Sequence, residues 1–464
     1  MIGNMNSRLS QRLLRGVLVF FLLISSLGLW QTTAYADVKK ADIIFGESVD
    51  ARGLSVVDCP NVDASYALVM AADGTIFFER NAHESTQIAS ITKVMTAIVV
   101  LDHAQSDTIV TVSERATWVG ESSAGLEPGD QMSLDGVLKA IMLSSGNDAA
   151  VAVAEHFGSI LSNGSATGED AEQVFVEEMN KKAQELGMAS TVFTNPHGLD
   201  HDSFAGEQRS TAADVAIMVQ FAMKNETFRE IVATRVADVS VKRANGENVT
   251  LTFESTDLLL ESFEGACGVK TGFTDLAGPS FAGAANREKG EYYAIVLNSS
   301  SPDQRFTDAQ VLLEWAYEHL VDYQLANSTQ KMEAILNGQK INVPIVAEVA
   351  HADWIDKTVK ATLKDHEQTI SIFDLNGNIN QTIEYDEIHG DIRVGDKLGT
   401  ITFKQRNEFL LTVDIIACES MKAPGLFEGI GIWWDRLFRG FSGEPKVANS
   451  VLINETPLIN QKGE

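Results

Sequence analysis

Apolar and polar positions alternate first in two short runs, YALVMA from Tyr66 and TIFFER ending at Arg80. Asp73-Gly74 lies between them, a two-residue connection that predicts a β-hairpin. The period then changes. Ile91, Val94, Met95, Ile98 and Val99 recur at helical spacing over Ser90–His103. A second helical stretch, Leu134–Phe157, is interrupted at Ser144-Ser145-Gly146-Asn147, and Thr211 with Asp214 resembles a capping box that opens another helix. Strand patterns return over Asn248–Phe253, Gly268–Thr271, Ser280–Ala285 and Tyr292–Asn298, the last two joined by the turn Arg287-Glu288-Lys289-Gly290. A helix over Phe306–Leu320 closes the series with Val311, Leu312 and Trp315 on one face. Strands, a helical insert, antiparallel strands and a final helix predict an α+β domain over residues 37–325. Regular strand–helix alternation and a Gly-rich phosphate loop are both missing, which argues against a nucleotide fold.

Over residues 328–420 the pattern shifts to short alternating segments such as TISIFDL, KLGTITF and FLLTVDII, which predict a small all-β domain. Pro424 and Gly425 then precede a helix over residues 425–441. Leu426, Ile430, Trp433, Leu437 and Phe441 line one side, with Phe427, Trp434 and Phe438 beside them, and the spacing suits a membrane surface better than a helix docked on the protein's own core. Residues 442–464 read as a tail. At the other end, Arg8, Arg12 and Arg15 precede an apolar run from Gly16 to Trp30 and the small-x-small site Ala34-Tyr35-Ala36. The run is short for a bilayer span, so residues 1–36 read as a cleaved secretory signal.

Charge narrows the partners. The 464 residues hold 36 Lys and Arg against 64 Asp and Glu, a formal charge of −28, so nucleic acid is excluded as a general partner. Three cysteines, Cys59, Cys267 and Cys418, make no disulfide framework. A Cys59–Cys267 pair is one reading of them and buried thiols are the other.

The candidate chemistry starts at Ser90-Ile91-Thr92-Lys93. Residues three apart on a helix are neighbours, so the spacing sets a hydroxyl beside an amine. The positive end of a helix disfavours a protonated amine and favours an oxyanion, both of which suit a serine nucleophile with a lysine base. Ser328-Thr329-Gln330-Lys331 has the same spacing in a linker. Ser90 differs in having company downstream, Ser145-Gly146-Asn147 in a helix break and Lys270-Thr271-Gly272 on a strand. The set S-x-x-K, S-D-N and K-T-G marks penicillin-binding proteins and serine β-lactamases; Gly146 stands here in place of the Asp.

These residues, with IASITKVMTA, LSSGNDAAVAVAE, NPHGLD followed by STAADVA, and GVKTGFTD followed by AGPSFAGAA, resemble the low-molecular-mass penicillin-binding proteins. Those are the serine D-alanyl-D-alanine carboxypeptidases of peptidase family S11, and the resemblance spans most of residues 50–440. It implies a penicillin-binding protein/β-lactamase-like catalytic fold and an enzyme that removes the terminal D-alanine from peptidoglycan stem peptides without a metal or other cofactor. By the same resemblance Ser90 attacks the carbonyl between two D-alanines and Lys93 takes its proton. Ser145, with Lys270 nearby, passes a proton to the leaving D-alanine, and Asn147 binds the peptide and orients Lys93. Backbone N–H groups of Ser90 and Phe273 hold the oxyanion. Lys270, Thr271 and Arg305 face the substrate's terminal carboxylate, and Gly272 and Phe273 belong to the substrate-binding strand end. β-Lactams are expected to acylate Ser90, and the protein is expected outside the cytoplasmic membrane, held there by its helix.

Rival readings remain to be set against this one. His197 and His201 have the i, i+4 spacing of a metal pair, yet Pro196 and Gly198 break the helix that such a pair needs, and no Glu lies between the histidines. Asp374–Asn378 imitates a calcium loop but has Ile379 where Gly belongs and Tyr385 where Glu belongs, so a hairpin turn is expected. Cys267 lacks a neighbouring histidine that would make it a nucleophile. A β-lactamase reading needs a second carboxylate base, which the stretch Glu177–Asn180 does not supply, and a non-catalytic wall-binding or β-lactam-sensing module needs no nucleophile with its base.

Overall fold

The computed structural model describes residues 39–336 and 338–459. The expected secretory signal lies outside these residues. The chain divides into two compact units, with the boundary between Tyr317 and Glu318. The division falls earlier than the sequence pattern suggests, because the strand Leu320–Gln324 pairs with Thr369–Phe373 of the second unit.

In the first unit the expected hairpin forms, with Tyr66–Ala71 and Ile76–Arg80 antiparallel and Leu68 opposite Glu79. It sits inside a sheet of seven antiparallel strands in the spatial order Glu47–Ser48, Ile43–Ile44, Ile76–Arg80, Tyr66–Ala71, Gly290–Leu297, Ser280–Arg287 and Ala266–Gly272. The strand carrying Lys270 is therefore an edge, paired on one side only, and its backbone is open to a further strand. Between the hairpin and the later strands the chain makes the helical region, and a second sheet of four strands, Ile109–Thr111, Gln131–Ser133, Val236–Lys242 and Asn248–Glu254.

The interrupted helix appears as Leu134–Met142 followed by Asn147–Leu161. Thr211 caps the helix Ala212–Ala222 by accepting from the Asp214 N–H, while the Asp214 carboxylate binds Ser190 and Thr191 rather than completing a box. One apolar core joins the layers: Leu68 and Ile295 from the sheet, Met95 and Ile98 from the helix after Ser90, and Val151 and Phe157 from the helix after the break. Burial of each such side chain contributes about 1.5–3 kcal/mol. This packing fixes where the helix ends point.

The second unit is strand-rich, as expected. Its main sheet has six strands in the order Ile379–Tyr385, Lys397–Gln405, Glu408–Ala417, Thr358–Leu363, Ala347–Ala350 and Val451–Leu452. A hairpin, Lys331–Leu336 with Gln339–Pro344, forms separately. Asp374–Asn376 is a 3₁₀ turn between Thr369–Phe373 and Ile379–Tyr385, strands of two different sheets, so it is a crossover and not the hairpin turn expected. Asp374 uses its carboxylate on His319 at 2.7 Å.

The amphipathic helix runs over Leu426–Ser442, with no residue buried; Phe427 is 87% exposed and Phe441 83%. Arg436 on its polar side donates to the carbonyls of Ala352 and Trp354. The sequence after it is not a tail. Val451–Leu452 pairs with Ala347 and Glu348, and the buried Asn454 side chain binds the Asn327 N–H, the Leu325 carbonyl and Gln381. Two pairing residues and one buried asparagine are too little periodic signal to be read from a sequence. Cys59, Cys267 and Cys418 are free thiols, so the Cys59–Cys267 pair does not form. Burial pushes their pKa values up, to about 11, 12 and 12 respectively.

Candidate active site

Ser90 and Lys93 do not begin an α-helix together. Ala89–Thr92 is a 3₁₀ turn, and the α-helix starts at Lys93 and runs to His103. In 3₁₀ geometry side chains three apart eclipse, which brings Lys93 Nζ to 2.8 Å from Ser90 Oγ. Lys93 is fully buried, and its Nζ also meets Asn147 Oδ1 at 2.7 Å and the His197 carbonyl at 2.9 Å. Desolvation, and next the charge of Lys270, hold the Lys93 ammonium well below the usual lysine range. A neutral amine has two N–H bonds and one lone pair. Both carbonyl-type oxygens can only accept, so the two N–H bonds go to them and the lone pair faces the Ser90 hydroxyl.

Asn147 is itself fixed, since its Nδ2 donates to the Gly120 carbonyl at 3.0 Å. Asp148 next to it accepts from the Ser123 hydroxyl and from the N–H groups of Ala124 and Leu126, pinning residues 123–126 against the start of the helix. Ser145 precedes these at φ 60°, 5% exposed, in the break. Gly146 fills the position of the missing Asp. A Cβ there would lie 2.8 Å from Ala124 Cβ and 2.8 Å from Asp148 Oδ1, so the pinned loop leaves no room for a side chain.

The third side is the edge strand. A Cβ on Gly272 would fall 2.7 Å from the Ile88 carbonyl, so Lys270-Thr271-Gly272 passes directly beside the nucleophile turn and leads into Phe273, whose ring is half exposed. Lys270 is buried, donates to the Thr271 carbonyl at 3.1 Å, and has its pKa pushed down to about 7 by burial and then by Arg305. Thr271 Oγ1 pairs with Thr256 Oγ1 at 2.7 Å. Arg305, in the first turn of the helix Gln304–Glu318, donates to the Gly272 carbonyl at 3.1 Å. The turn of Ser90 and Lys93, the helix start at Asn147 and the strand Lys270–Gly272 with Arg305 are thus drawn together.

Two contributors were not legible in the sequence. The loop NPHGLD supplies the His197 carbonyl to Lys93, and Gly198 passes so close that a Cβ would meet the Ala89 carbonyl at 1.9 Å. Asp257, beside the strand, is buried; desolvation raises its pKa to about 7, and one carboxylate oxygen has no partner. For the metal reading, His197 is buried with its Nδ1 accepting from the Leu199 N–H, whereas His201 is half-buried and bonds Glu121 and Asp202. Asn180 of the Glu177–Asn180 stretch is taken up by Phe193 and Val176 backbone groups.

A family model of D-alanyl-D-alanine carboxypeptidases, peptidase S11, matches residues 55–301. The chain is 29% identical over 376 residues to the D-alanyl-D-alanine carboxypeptidase DacF of Bacillus subtilis (strain 168), covering 78% of this chain and 87% of that one. It is 26% identical over 400 residues to DacC of Escherichia coli (strain K12), covering 83% and 90%. Among solved structures, the Streptomyces K15 DD-transpeptidase superposes with a TM-score of 0.53 at 31% identity, over 56% of this chain and 98% of that one. The D-alanyl-D-alanine carboxypeptidase DacD of Francisella tularensis shares the fold at 22% identity, with a TM-score of 0.52 over 78% and 95%.

Proposed function

The chain belongs to the D-alanyl-D-alanine carboxypeptidases of peptidase family S11, and from that premise we propose the path by which its cleft removes a terminal D-alanine. It is a serine-type D-Ala-D-Ala carboxypeptidase acting on peptidoglycan stem peptides, and a β-lactam target. The observation that carries the path is Lys93 Nζ at 2.8 Å from Ser90 Oγ, held there by Asn147 Oδ1 and the His197 carbonyl.

With its lone pair aimed at Ser90 Oγ, Lys93 takes the hydroxyl proton as Oγ bonds to the carbonyl carbon of the penultimate D-alanine. The N–H groups of Ser90 and Phe273 hold the oxyanion, an arrangement that supplies about 3–4 kcal/mol per donor. The C–N bond then breaks. The departing amine takes the proton from Lys93 through Ser145, leaving an ester on Ser90; water, deprotonated by Lys93, then attacks that ester, and the proton passes from Lys93 to the leaving Ser90 Oγ, which restores the free hydroxyl and the neutral amine. Thr271, the charge of Lys270 and the forked guanidinium of Arg305 hold the terminal carboxylate. A β-lactam opens on the same serine by the same first step.

We place the enzyme outside the cytoplasmic membrane, with the exposed apolar side of Leu426–Ser442 lying in the lipid interface; among the described residues no helix is long and apolar enough to cross a membrane. The reaction is tested by D-alanine release from a peptide ending in D-Ala-D-Ala, using the full chain as wild type and as Ser90→Ala. Release by the wild type alone is expected. Release by neither protein overturns the reading and favours a sensing module, while fast penicillin turnover without D-alanine release favours a β-lactamase.

A further inference from the structure

The loop of residues 195–200 is folded around one side chain. Asn195 Oδ1 accepts from the N–H groups of His197 and Gly198, and its Nδ2 donates to the Leu199 carbonyl at 2.8 Å. Asn195, His197, Leu199 and Asp200 are all buried. A loop braced in this way moves as one piece, and it touches the cleft at three points. The His197 carbonyl holds Lys93, Gly198 lies against the Ala89 carbonyl beside Ser90, and Asp200 Oδ2 accepts from Thr274 Oγ1 at 2.7 Å. The first two contacts serve the base and the nucleophile turn. The third reaches the far side, just past the end of the Lys270 strand.

Thr274 follows Phe273, and its hydroxyl is fully engaged. It accepts from the Ala277 N–H at 3.0 Å and gives its single proton to Asp200, while the Gly278 N–H closes the turn on the Thr274 carbonyl at 2.9 Å. Upstream, the Gly272 carbonyl accepts from Arg305 at 3.1 Å. That carbonyl and the Phe273 N–H belong to one planar trans peptide and point in opposite directions. Arg305 therefore pins this peptide at its carbonyl, and the Asp200–Thr274 bond pins the residue that follows it.

Stability does not account for Asp200. It is 4% exposed, its hydrogen bond among the described residues is the one to Thr274, and its Oδ1 is buried without a partner. A buried carboxylate satisfied on one oxygen alone costs the fold free energy.

We propose that Asp200 is a positioning residue for the oxyanion hole: through Thr274 it sets the place of the Phe273 N–H relative to the Ser90 N–H, which is carried by the turn that Gly198 packs against. The proposal rests on the carboxypeptidase reading above and adds to it the residue that fixes the second donor. Asp200 acts through Thr274 and not on the reacting atoms. Losing the tie leaves substrate binding in place and weakens the hold on the oxygen as it gains charge, in acylation and deacylation alike.

The test measures D-alanine release from a peptide ending in D-Ala-D-Ala by the full chain as wild type, Asp200→Ala, Asp200→Asn, Thr274→Val and Thr274→Ser. Asp200→Ala and Thr274→Val are each expected to lower kcat about tenfold or more and to alter KM less than about twofold. Asp200→Asn keeps an acceptor and Thr274→Ser keeps the hydroxyl, so both should stay within about threefold of the wild type. Asp200→Ala combined with Thr274→Val should be no slower than either alone, since both break the same bond. A peptide ending in a boronic acid analogue of D-alanine forms a tetrahedral adduct on Ser90, and its affinity should fall in step with kcat. A loss carried by KM, an unchanged boronate affinity, Asp200→Asn as slow as Asp200→Ala, or additive losses in the double variant would overturn the role. Should Asp200→Ala fail to fold, as read by thermal melting, Thr274→Val against Thr274→Ser decides by the same measures. No release by the wild type removes the carboxypeptidase reading together with this role, whereas wild-type release with unchanged variants removes the role alone.

Discussion

At the residue scale the enzyme is a problem in where protons sit. Burial, and next the charge of Lys270, lower the Lys93 pKa, which favours the neutral amine that a base must be to act. Its active form is present above the lowered pKa and is lost as pH falls through it, which sets the acid limb of the rate profile. Lys270, pushed to about 7, has the opposite sign: its useful charge is present below that value and is lost above it. The pH profile of kcat/KM, which reports the free enzyme, is therefore expected to fall on the alkaline side from near 7. That of kcat should hold to higher pH, because the bound carboxylate stabilises the Lys270 charge. Identical alkaline limbs for both parameters would refute the assignment. Arg305 is argued likewise: Arg305→Ala should raise KM for a peptide with a free terminal carboxylate about tenfold or more, and change acylation by an uncharged ester far less. Parallel losses on both substrates would exclude a carboxylate-binding role.

At the scale of elements, the cleft is held by close approaches between a 3₁₀ turn, a helix break, a loop and an edge strand. Gly198 sits at φ 95° with no space for a side chain against the Ala89 carbonyl. Gly198→Ala combines backbone strain of about 1–3 kcal/mol with displacement of the turn that presents Ser90. A lower melting temperature together with slower β-lactam acylation is the expected result; unchanged acylation would show that the loop does not set the turn. Asp148 does for residues 123–126 what Gly198 does for the turn, since its carboxylate gathers Ser123, Ala124 and Leu126. Asp148→Ala leaves those N–H groups without their charged acceptor, at about 1.5–3 kcal/mol for a hydrogen bond to a charged group. Acylation is expected to slow about tenfold or more while Ser90 and Lys93 remain intact.

For the whole molecule, the organising fact is that the exposed helix is spliced into the second unit and not appended to it. The chain leaves the β unit at Gly425 and returns as Val451–Leu452, so the helix is held at both ends. Trp433→Glu with Phe438→Glu should abolish binding to anionic lipid vesicles and leave soluble-peptide hydrolysis unchanged; undiminished binding would disprove the interfacial role. Ending the chain after Gly443 removes the strand and Asn454, with its bonds to Asn327, Leu325 and Gln381, and is expected to lower the unfolding temperature of the second unit. An unchanged melt would mean that the returning strand carries no stability.

Sequence by itself determined the chemistry and the architecture of this protein. The period-two and helical runs gave the hairpin, the broken helix, the antiparallel strands and the β unit, because burial periodicity is a local property. Ser90-x-x-Lys93, Ser145-Gly146-Asn147 and Lys270-Thr271-Gly272 gave the candidate catalytic set, because each is a short run whose geometry follows from its own element. Tertiary structure alone decided what depends on packing between distant segments. The His197 carbonyl on Lys93 and the Asp148 clamp each join residues far apart in the chain, and a backbone carbonyl has no signature in any alphabet of side chains. The returning strand escaped for the same reason. Two residues become a strand only because Ala347 and Glu348 offer an unpaired edge, and that edge exists only once the sheet has folded.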